Sequence, residues 1–267
     1  MPVVMPRAAG NFKDESMIKT LGIVELHNPQ LRSTFARRLG GKPLIEWVVR
    51  RVNDSQLLDG VIVAAGDTPA DRELAALIPS DIPVFFGSET DVLRRFRDAA
   101  LQFSAENVVH ISADNPFIDP ALIDRLVAVA ALESVDSTPP DYVGYCSRDG
   151  RPAVESPLGV FTEWMSTRAL RRAERRASHP RDRASATRYI YSHPEEFHVL
   201  LIPVPTPLDR DDVRLTIDSH EDWEHAQEIL EALGPERLDW QAVAGLLHHQ
   251  PGMRQRMAVL NREAAGI

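Results

Sequence analysis

The chain has 267 residues, 43% hydrophobic and 26% charged, with 30 Lys+Arg against 39 Asp+Glu and a formal net charge of −9. That composition excludes collagen-like, disulfide-stapled and wholly disordered classes, and the negative charge argues against general nucleic-acid binding, which needs a basic field. The sole cysteine, Cys146, can form no internal bridge, and no stretch approaches the roughly 20 apolar residues of a membrane helix. A cytoplasmic protein with neither nucleic-acid nor membrane partners is the expectation.

Residues 1–17 mix Pro, Gly, Asn and charges without periodicity and read as a mobile tail. Leu21–Leu26 is a short apolar run of strand type. After a loop containing Gly40-Gly41, Pro43 suits a first helical turn, and Leu44, Trp47, Val48 and Val52 recur at helical spacing. Val61–Ala65 predicts a strand, Ala70–Leu77 a helix, Val84–Phe86 a strand and Asp91–Phe103 a helix. Asn107–Ser112 predicts a further strand, with a helix announced by Asp119-Pro120. This alternation implies a mostly parallel sheet covered on both faces.

Glu133–Pro140 reads as a linker. Beyond it, Asp141–Cys146, Leu158–Phe161, Phe197–Val204 and Arg214–Asp218 read as strands. Glu163–Arg176, Ala184–His193, Glu221–Leu233, Trp240–Leu247 and Met253–Glu263 read as helices. The economical organisation is one domain, residues 18–267, with a nucleotide-binding half over 18–132 and a smaller half over 141–267.

In open α/β sheets, ligands bind outside the carboxyl ends of the strands. Four strand-ending segments therefore carry the candidate chemistry. The loop His27–Lys42 puts Arg32, Arg37, Arg38 and Lys42 around two glycines ahead of a helix, an arrangement suited to phosphate or to a solvated basic loop. Ser112-Ala-Asp114-Asn115-Pro116 and Thr216-Ile-Asp218 each place an aspartate at a strand end. Such a pair can converge on one hard cation although 104 positions separate them (218 − 114); alone, Asp114 reads rather as a turn former, and Asp218 or Ser219 as a cap of the helix that follows. Gly87-Ser88-Glu-Thr-Asp91 is a turn and helix start that can offer backbone groups to a base. The Arg168–Arg176 helix reads as a solvated face or subunit contact, without aromatics for base stacking. The rings of His248 and His249 are expected to diverge on a helix.

The strings Leu39-Gly-Gly-Lys-Pro-Leu-Ile45, Gly87–Leu93, Val109–Pro120, Tyr189–Phe197 and Arg214–Asp222, in this order, resemble the sugar cytidylyltransferases of the spore-coat polysaccharide (SpsF) type. These are relatives of the CMP-KDO and acylneuraminate cytidylyltransferases. The resemblance implies a GT-A-like nucleotide-diphospho-sugar transferase fold with a smaller lobe for the sugar and for homodimerisation. It implies transfer of a cytidylyl group from CTP to a sugar or sugar acid, with release of pyrophosphate. By the same resemblance, Asp114 and Asp218 match the Mg²⁺ aspartates and Lys42 the loop lysine, and Gly87, Ser88, Asp91 and Asn115 fall near the nucleotide. Arg32 and Arg37, with Lys42, are the candidates for the catalytic clamp, and Arg38 for nucleotide binding.

The chain departs from the family pattern in three places. The first loop is about two residues shorter, with His27-Asn28-Pro29 where the family's first Arg begins; Pro157–Phe161 stands for a typical Asp-Val-Glu-Val-Phe, and Arg183–Thr187 for Arg-Glu-His-Val-Thr. These departures leave an altered sugar substrate and a lapsed, nucleotide-binding scaffold both open, beside a glycosyltransferase on the same sheet.

Overall fold

Leu21–Leu26 lies at the heart of a seven-stranded sheet because it is apolar toward both faces: Leu21 and Ile23 enter one core, Val24 and Leu26 the other. The computed structural model describes residues 18–26, 31–136 and 138–266. The tail expected over residues 1–17, and His27-Asn28-Pro29, lie outside the described residues.

The first half runs β1 (Ile18–Leu26), α1 (Arg32–Ala36), β2 (Arg38–Leu39), β3 (Lys42–Pro43), α2 (Leu44–Asn53), β4 (Gly60–Gly66), α3 (Pro69–Ala75), β5 (Val84–Gly87), α4 (Val92–Gln102), β6 (Ala105–Ser112) and α5 (Pro120–Asp136). The second half runs β7 (Tyr142–Cys146), β8 (Glu163–Ser166), α6 (Thr167–Arg176), α7 (Pro180–Arg183), α8 (Arg188–Tyr191), β9 (Val199–Pro203), α9 (His220–Leu233), α10 (Trp240–His249) and α11 (Pro251–Ala265). The large sheet has the order β5-β4-β1-β6-β8-β7-β9, so the second half extends the sheet of the first. β5, β4, β1 and β6 are mutually parallel, and β8 enters antiparallel to both β6 and β7. One face is covered by α2, α3, α5 and α9 to α11, the other by α4, α6 and α8.

Local chemistry sets the helix starts. Thr68, Asp91, Ser166 and Asp239 each accept an N–H of the first turn, and Ser219 with Asp222 forms a capping box on α9. Asp119 caps the start of α5 through Ala121 N–H (2.8 Å) and accepts Trp240 N–H (2.7 Å), fastening α10 to the same turn.

The second half corrects several sequence expectations. Leu158–Phe161 is not a strand; the strand is Glu163–Ser166, expected to be helical, and α6 starts only at Thr167. Of Ala184–His193, only Arg188–Tyr191 is helical. Arg214–Asp218 is not a strand, since its N–H groups bond loop carbonyls: Leu215 to Pro157 (2.8 Å) and Ile217 to Asp114 (3.0 Å). Helix α5 runs on to Asp136, into the segment expected to be a linker. The rings of His248 and His249 do not diverge but meet edge to face at 5.1 Å.

Candidate active site

The strand order turns at β1: β4 and β5 lie on one side of it, and the chain then crosses to β6 on the other. At such a switch point the carboxyl ends of the strands leave a crevice. Ala113 N–H bonds the Glu25 carbonyl (3.2 Å) and joins the ends of β1 and β6 there. Asn115 N–H folds back to the Ser112 carbonyl (3.3 Å), which turns Asp114 out of the strand line.

Asp114 Oδ1 and Asn115 Oδ1 are both buried and have no hydrogen-bond donor among the described residues. Unpaired acceptors in a protein interior are costly, so their presence together marks a place built for a donor or a cation. Burial pushes the Asp114 carboxyl up to about 6; the charges of Asp218 and Glu25 add to the rise and a Ser112 hydrogen bond opposes it. Among the described residues no cluster of three or more His, Cys, Asp or Glu forms a cage for a metal. Asp114 and Asn115 each offer a buried oxygen, and Asp218 lies near enough for its charge to raise the Asp114 carboxyl; oxygen ligands of this chemistry are the kind that suit Mg²⁺ completed by phosphate and water.

Asp218 reaches this place on a segment held by loop contacts. Arg214 donates to Asp218 Oδ2 (2.8 Å) and to both Asp222 oxygens (2.7 and 3.1 Å). Asp222 Oδ2 also accepts the N–H groups of Asp218 and Ser219 (3.0 Å each), so its side chain is committed to shaping the turn. Asp218 Oδ1 has no partner among the described residues.

The four cations of the first loop are distributed, not clustered. Arg38 and Lys42 lie on a two-stranded hairpin, β2–β3, whose turn glycines adopt φ +57° (Gly40) and +84° (Gly41). Arg38 donates to the Gly41 carbonyl and so closes its own hairpin; Lys42 is exposed. Arg37 stacks over Trp223 with its guanidinium carbon 4.0 Å from the ring, which sets it beside the turn carrying Asp218. Arg32 is drawn to the opposite side: Nε donates to Asp71 (3.0 Å) and a terminal nitrogen lies 3.8 Å from Glu89. The loop thus spans the crevice from the Asp218 turn to the Gly87–Asp91 segment.

In that segment the Asp91 side chain is committed to structure. It accepts Arg94 N–H (3.0 Å) as the cap of α4 and pairs with Arg183 (Nε, 3.0 Å). Ser88 Oγ accepts Asp91 N–H (3.1 Å). Gly87 is packed tightly, since a Cβ there would lie 2.8 Å from the Phe85 ring.

Sequence reasoning missed a buried network on the α4 side of the sheet. Arg95, with no exposed surface, donates to the Ser88 carbonyl (2.6 Å) and to Glu25 Oε1 (2.9 Å). Glu25 Oε2 lies 2.9 Å from His110 Nε2, and His110 Nδ1 lies 2.9 Å from Glu163 Oε2. Tyr142 donates to Glu163 Oε1 (2.7 Å). Burial opposes a charge on His110, yet the hydrogen bonds to Glu163 and Glu25 outweigh it and push the imidazole up to about 10. The signal was present: Glu25 and His110 each interrupt an apolar strand run. The strand leading into α6 is β8, and its first residue, Glu163, is a buried carboxylate.

Comparison with known proteins agrees with this architecture. A Bacillus subtilis spore coat polysaccharide biosynthesis protein, SpsF, is 29% identical over 223 residues, covering 80% of this chain and 87% of its own. A 3-deoxy-manno-octulosonate cytidylyltransferase of Geotalea daltonii is 28% identical over 105 residues, 36% of this chain and 38% of its own. A cytidylyltransferase structure from Leptospira borgpetersenii superposes with a TM-score of 0.74 at 20% identity, covering 89% of this chain and 96% of that one. The structure of a CMP-2-keto-3-deoxy-manno-octonic acid synthetase complexed with CTP superposes with a TM-score of 0.58 at 11% identity, covering 81% and 99%. The family model described as Cytidylyltransferase matches residues 36–260, a span that takes in Asp114, Asp218 and the sheet from β4 to β9, and the chain belongs to that family.

Proposed function

We propose that the protein transfers a cytidylyl group from CTP to a hydroxyl of a sugar or sugar acid, releasing pyrophosphate, with Mg²⁺ held by Asp114 and Asp218. The observation that carries this reading is the orphaned, buried Asp114 Oδ1 beside a second carboxylate at the switch point of the sheet. The resemblance to SpsF supports a role in surface-polysaccharide synthesis. Asp114, Asp218 and Asn115 offer oxygen ligands; the cation would supply charge neutralisation to the triphosphate.

The remaining work falls to the chain's own groups. The acceptor hydroxyl oxygen bonds to the α-phosphorus as the bond from that phosphorus to the bridging oxygen of the β-phosphate breaks; pyrophosphate leaves and the hydroxyl proton passes to solvent. Such an in-line displacement needs positioning and charge compensation more than covalent help. In this reading Arg37, stacked on Trp223, Lys42, on the β2–β3 hairpin, and Arg32, near Glu89, are the cations that neutralise phosphate oxygens. Arg38 contributes through the shape of the hairpin. The base lies against Gly87 and Ser88, where backbone groups discriminate by space and hydrogen-bond pattern, and Asp91 holds that turn on α4. The half from residue 141 onward would receive the sugar and form the homodimer of a cytoplasmic enzyme.

Incubation with CTP, Mg²⁺ and a panel of sugars and sugar acids tests the reading by pyrophosphate release. Release with one acceptor and not without it is the expected result. CTP binding with no release across the panel would favour a nucleotide-binding scaffold, and transfer from a preformed sugar nucleotide would favour a glycosyltransferase.

A further inference from the structure

The Arg95–Glu25–His110–Glu163–Tyr142 chain crosses five elements: α4, β1, β6, β8 and β7. It begins at the Ser88 carbonyl and ends on the strands of the second half. We propose that these side chains form one positioning network that holds the Ser88–Glu89 turn in the conformation the cytosine requires, with Glu163 on β8 as its far anchor. The proposal rests on the placement of the base at Gly87–Ser88 given above.

Three features support it. First, Arg95 is the donor that grips the turn, bonding the carbonyls of Ser88 (2.6 Å) and Glu89 (3.3 Å) through a single nitrogen. With both carbonyls tied down from below, the opposite side of the turn is left to face a ligand. Second, a guanidinium without exposed surface needs a partner, and Glu25 provides it. Third, both His110 nitrogens face carboxylate oxygens, so the ring donates from both and is cationic. The formal charges of Arg95, His110, Glu25 and Glu163 then cancel, which lets the group stay buried. Phe96, next to Arg95 on α4, meets the His110 ring edge to face at 5.1 Å and closes that side. Removing Glu163 leaves one cation in excess, and the strain falls on the bonds that fix Arg95 and the turn.

None of these five residues belongs to the basic loop, so their role can be separated from that of the loop cations. Glu163→Gln and Arg95→Lys, with Tyr142→Phe as a milder change, are titrated calorimetrically with CTP and with inorganic tripolyphosphate, both in Mg²⁺. Losing a hydrogen bond to a charged group predicts CTP dissociation constants raised about 10- to 100-fold in the first two variants, and about two- to tenfold in Tyr142→Phe. Tripolyphosphate affinity should stay within about twofold of wild type, and the Ser88–Glu89 amides should lose hydrogen-exchange protection. Equal losses for both ligands, or no loss for either, would overturn the network. If Arg95→Lys or Glu163→Gln fails to fold, Tyr142→Phe decides: unchanged CTP affinity refutes the proposal. A wild-type protein that binds CTP no more tightly than tripolyphosphate would instead overturn the base placement itself.

Discussion

The Ile217 N–H donates to the Asp114 carbonyl at 3.0 Å, and this bond ties the Asp218 turn to the end of β6. The backbone segments that carry two acidic residues 104 positions apart (218 − 114) are thereby brought together without a strand between them. Sequence reasoning expected the same pairing from two parallel strand ends. The two backbone segments do meet, but through a loop laid across the sheet's carboxyl edge and not through two strand ends.

Asp114→Asn separates stability from function. The carboxyl is destabilised by burial and by the neighbouring charges, so a neutral amide of the same shape relieves the cost. A rise from 3.8 to about 6 corresponds to on the order of 3 kcal/mol at pH 8. The variant is therefore expected to melt at a higher temperature than wild type in the absence of divalent metal. It should lose pyrophosphate release and the Mg²⁺-dependent increase in Tm expected of wild type. A variant that melts lower and still gains from Mg²⁺ would remove Asp114 from the metal site.

The same carboxyl predicts an acid window. Its folded value lies above the unfolded one, so the folded state takes up the proton first as pH falls. Stability gained from this group accordingly increases from pH 6 down to 3.8, while Mg²⁺ affinity decreases over the same range because the ligand is neutralised. His110 acts at the other end. Its value is raised from 6.5 to about 10, so its contribution is fully present below 6.5 and is lost as pH rises through 10. Tm measured in Mg²⁺-free buffer from pH 4 to 10, for wild type, Asp114→Asn and His110→Gln, checks both signs. Loss of the alkaline decline only in the histidine variant is the expected pattern.

Lys42 and Arg37 are expected to differ in what they lose. Lys42 is exposed on the β2–β3 hairpin, so Lys42→Ala should leave Tm unchanged and lower kcat by about 10²–10³, the usual effect of removing one preorganised donor. Arg37 packs on Trp223, and Arg37→Ala should also cost about 0.5–2 kcal/mol of stability. Arg32→Ala should weaken CTP binding more than turnover, because Arg32 lies by Glu89. If substitution of Arg32, Arg37, Arg38 and Lys42 alters neither CTP affinity nor pyrophosphate release, the loop does not hold the phosphates.

The first half was legible because burial on both faces of β1 and β4 leaves apolar runs such as Val61–Ala65 that only a central strand accommodates. The second half was less so. Glu163–Ser166 is too short to show alternation, and its opening charge looked like the first turn of the following helix. Arg214–Asp218 alternates as a strand does, with Leu215 and Ile217 buried, yet its partners are carbonyls in loops. For the candidate site, position at a strand end was enough to single out Asp114. It could not reveal that Glu25 and His110 share a hydrogen bond, since that depends on the register in which Ile23 faces His110 and Glu25 faces Ser112. Within the helix expected over Asp91–Phe103, nothing in the local sequence distinguishes Arg95 from its exposed neighbour Arg94. The burial of Arg95 follows from the tertiary placement of Glu25, which local periodicity does not contain.

Gly159 supplies a test of the loop that carries Asp218. Its φ is +64°, a region other residues adopt at a cost, and a Cβ there would lie 2.6 Å from both the Leu215 carbonyl carbon and the Thr216 nitrogen. Those are backbone atoms, so no rotamer change can relieve the overlap. The segment 215–217 would have to move away from Pro157, stretching the Leu215 N–H bond of 2.8 Å and then the Ile217 bond to Asp114. Gly159→Ala is therefore expected to displace Asp218 from Asp114 while leaving β1, β4 and β6 intact. The strained backbone should cost about 1–3 kcal/mol, seen as a lower Tm. Mg²⁺ should no longer raise that Tm, and pyrophosphate release should fall well below wild type. CTP affinity measured without metal should change little, because Gly87 and Ser88 lie on β5 and the turn after it. A Gly159→Ala protein with wild-type Mg²⁺ response would show that the Asp218 turn does not depend on its contact with Pro157 and Gly159.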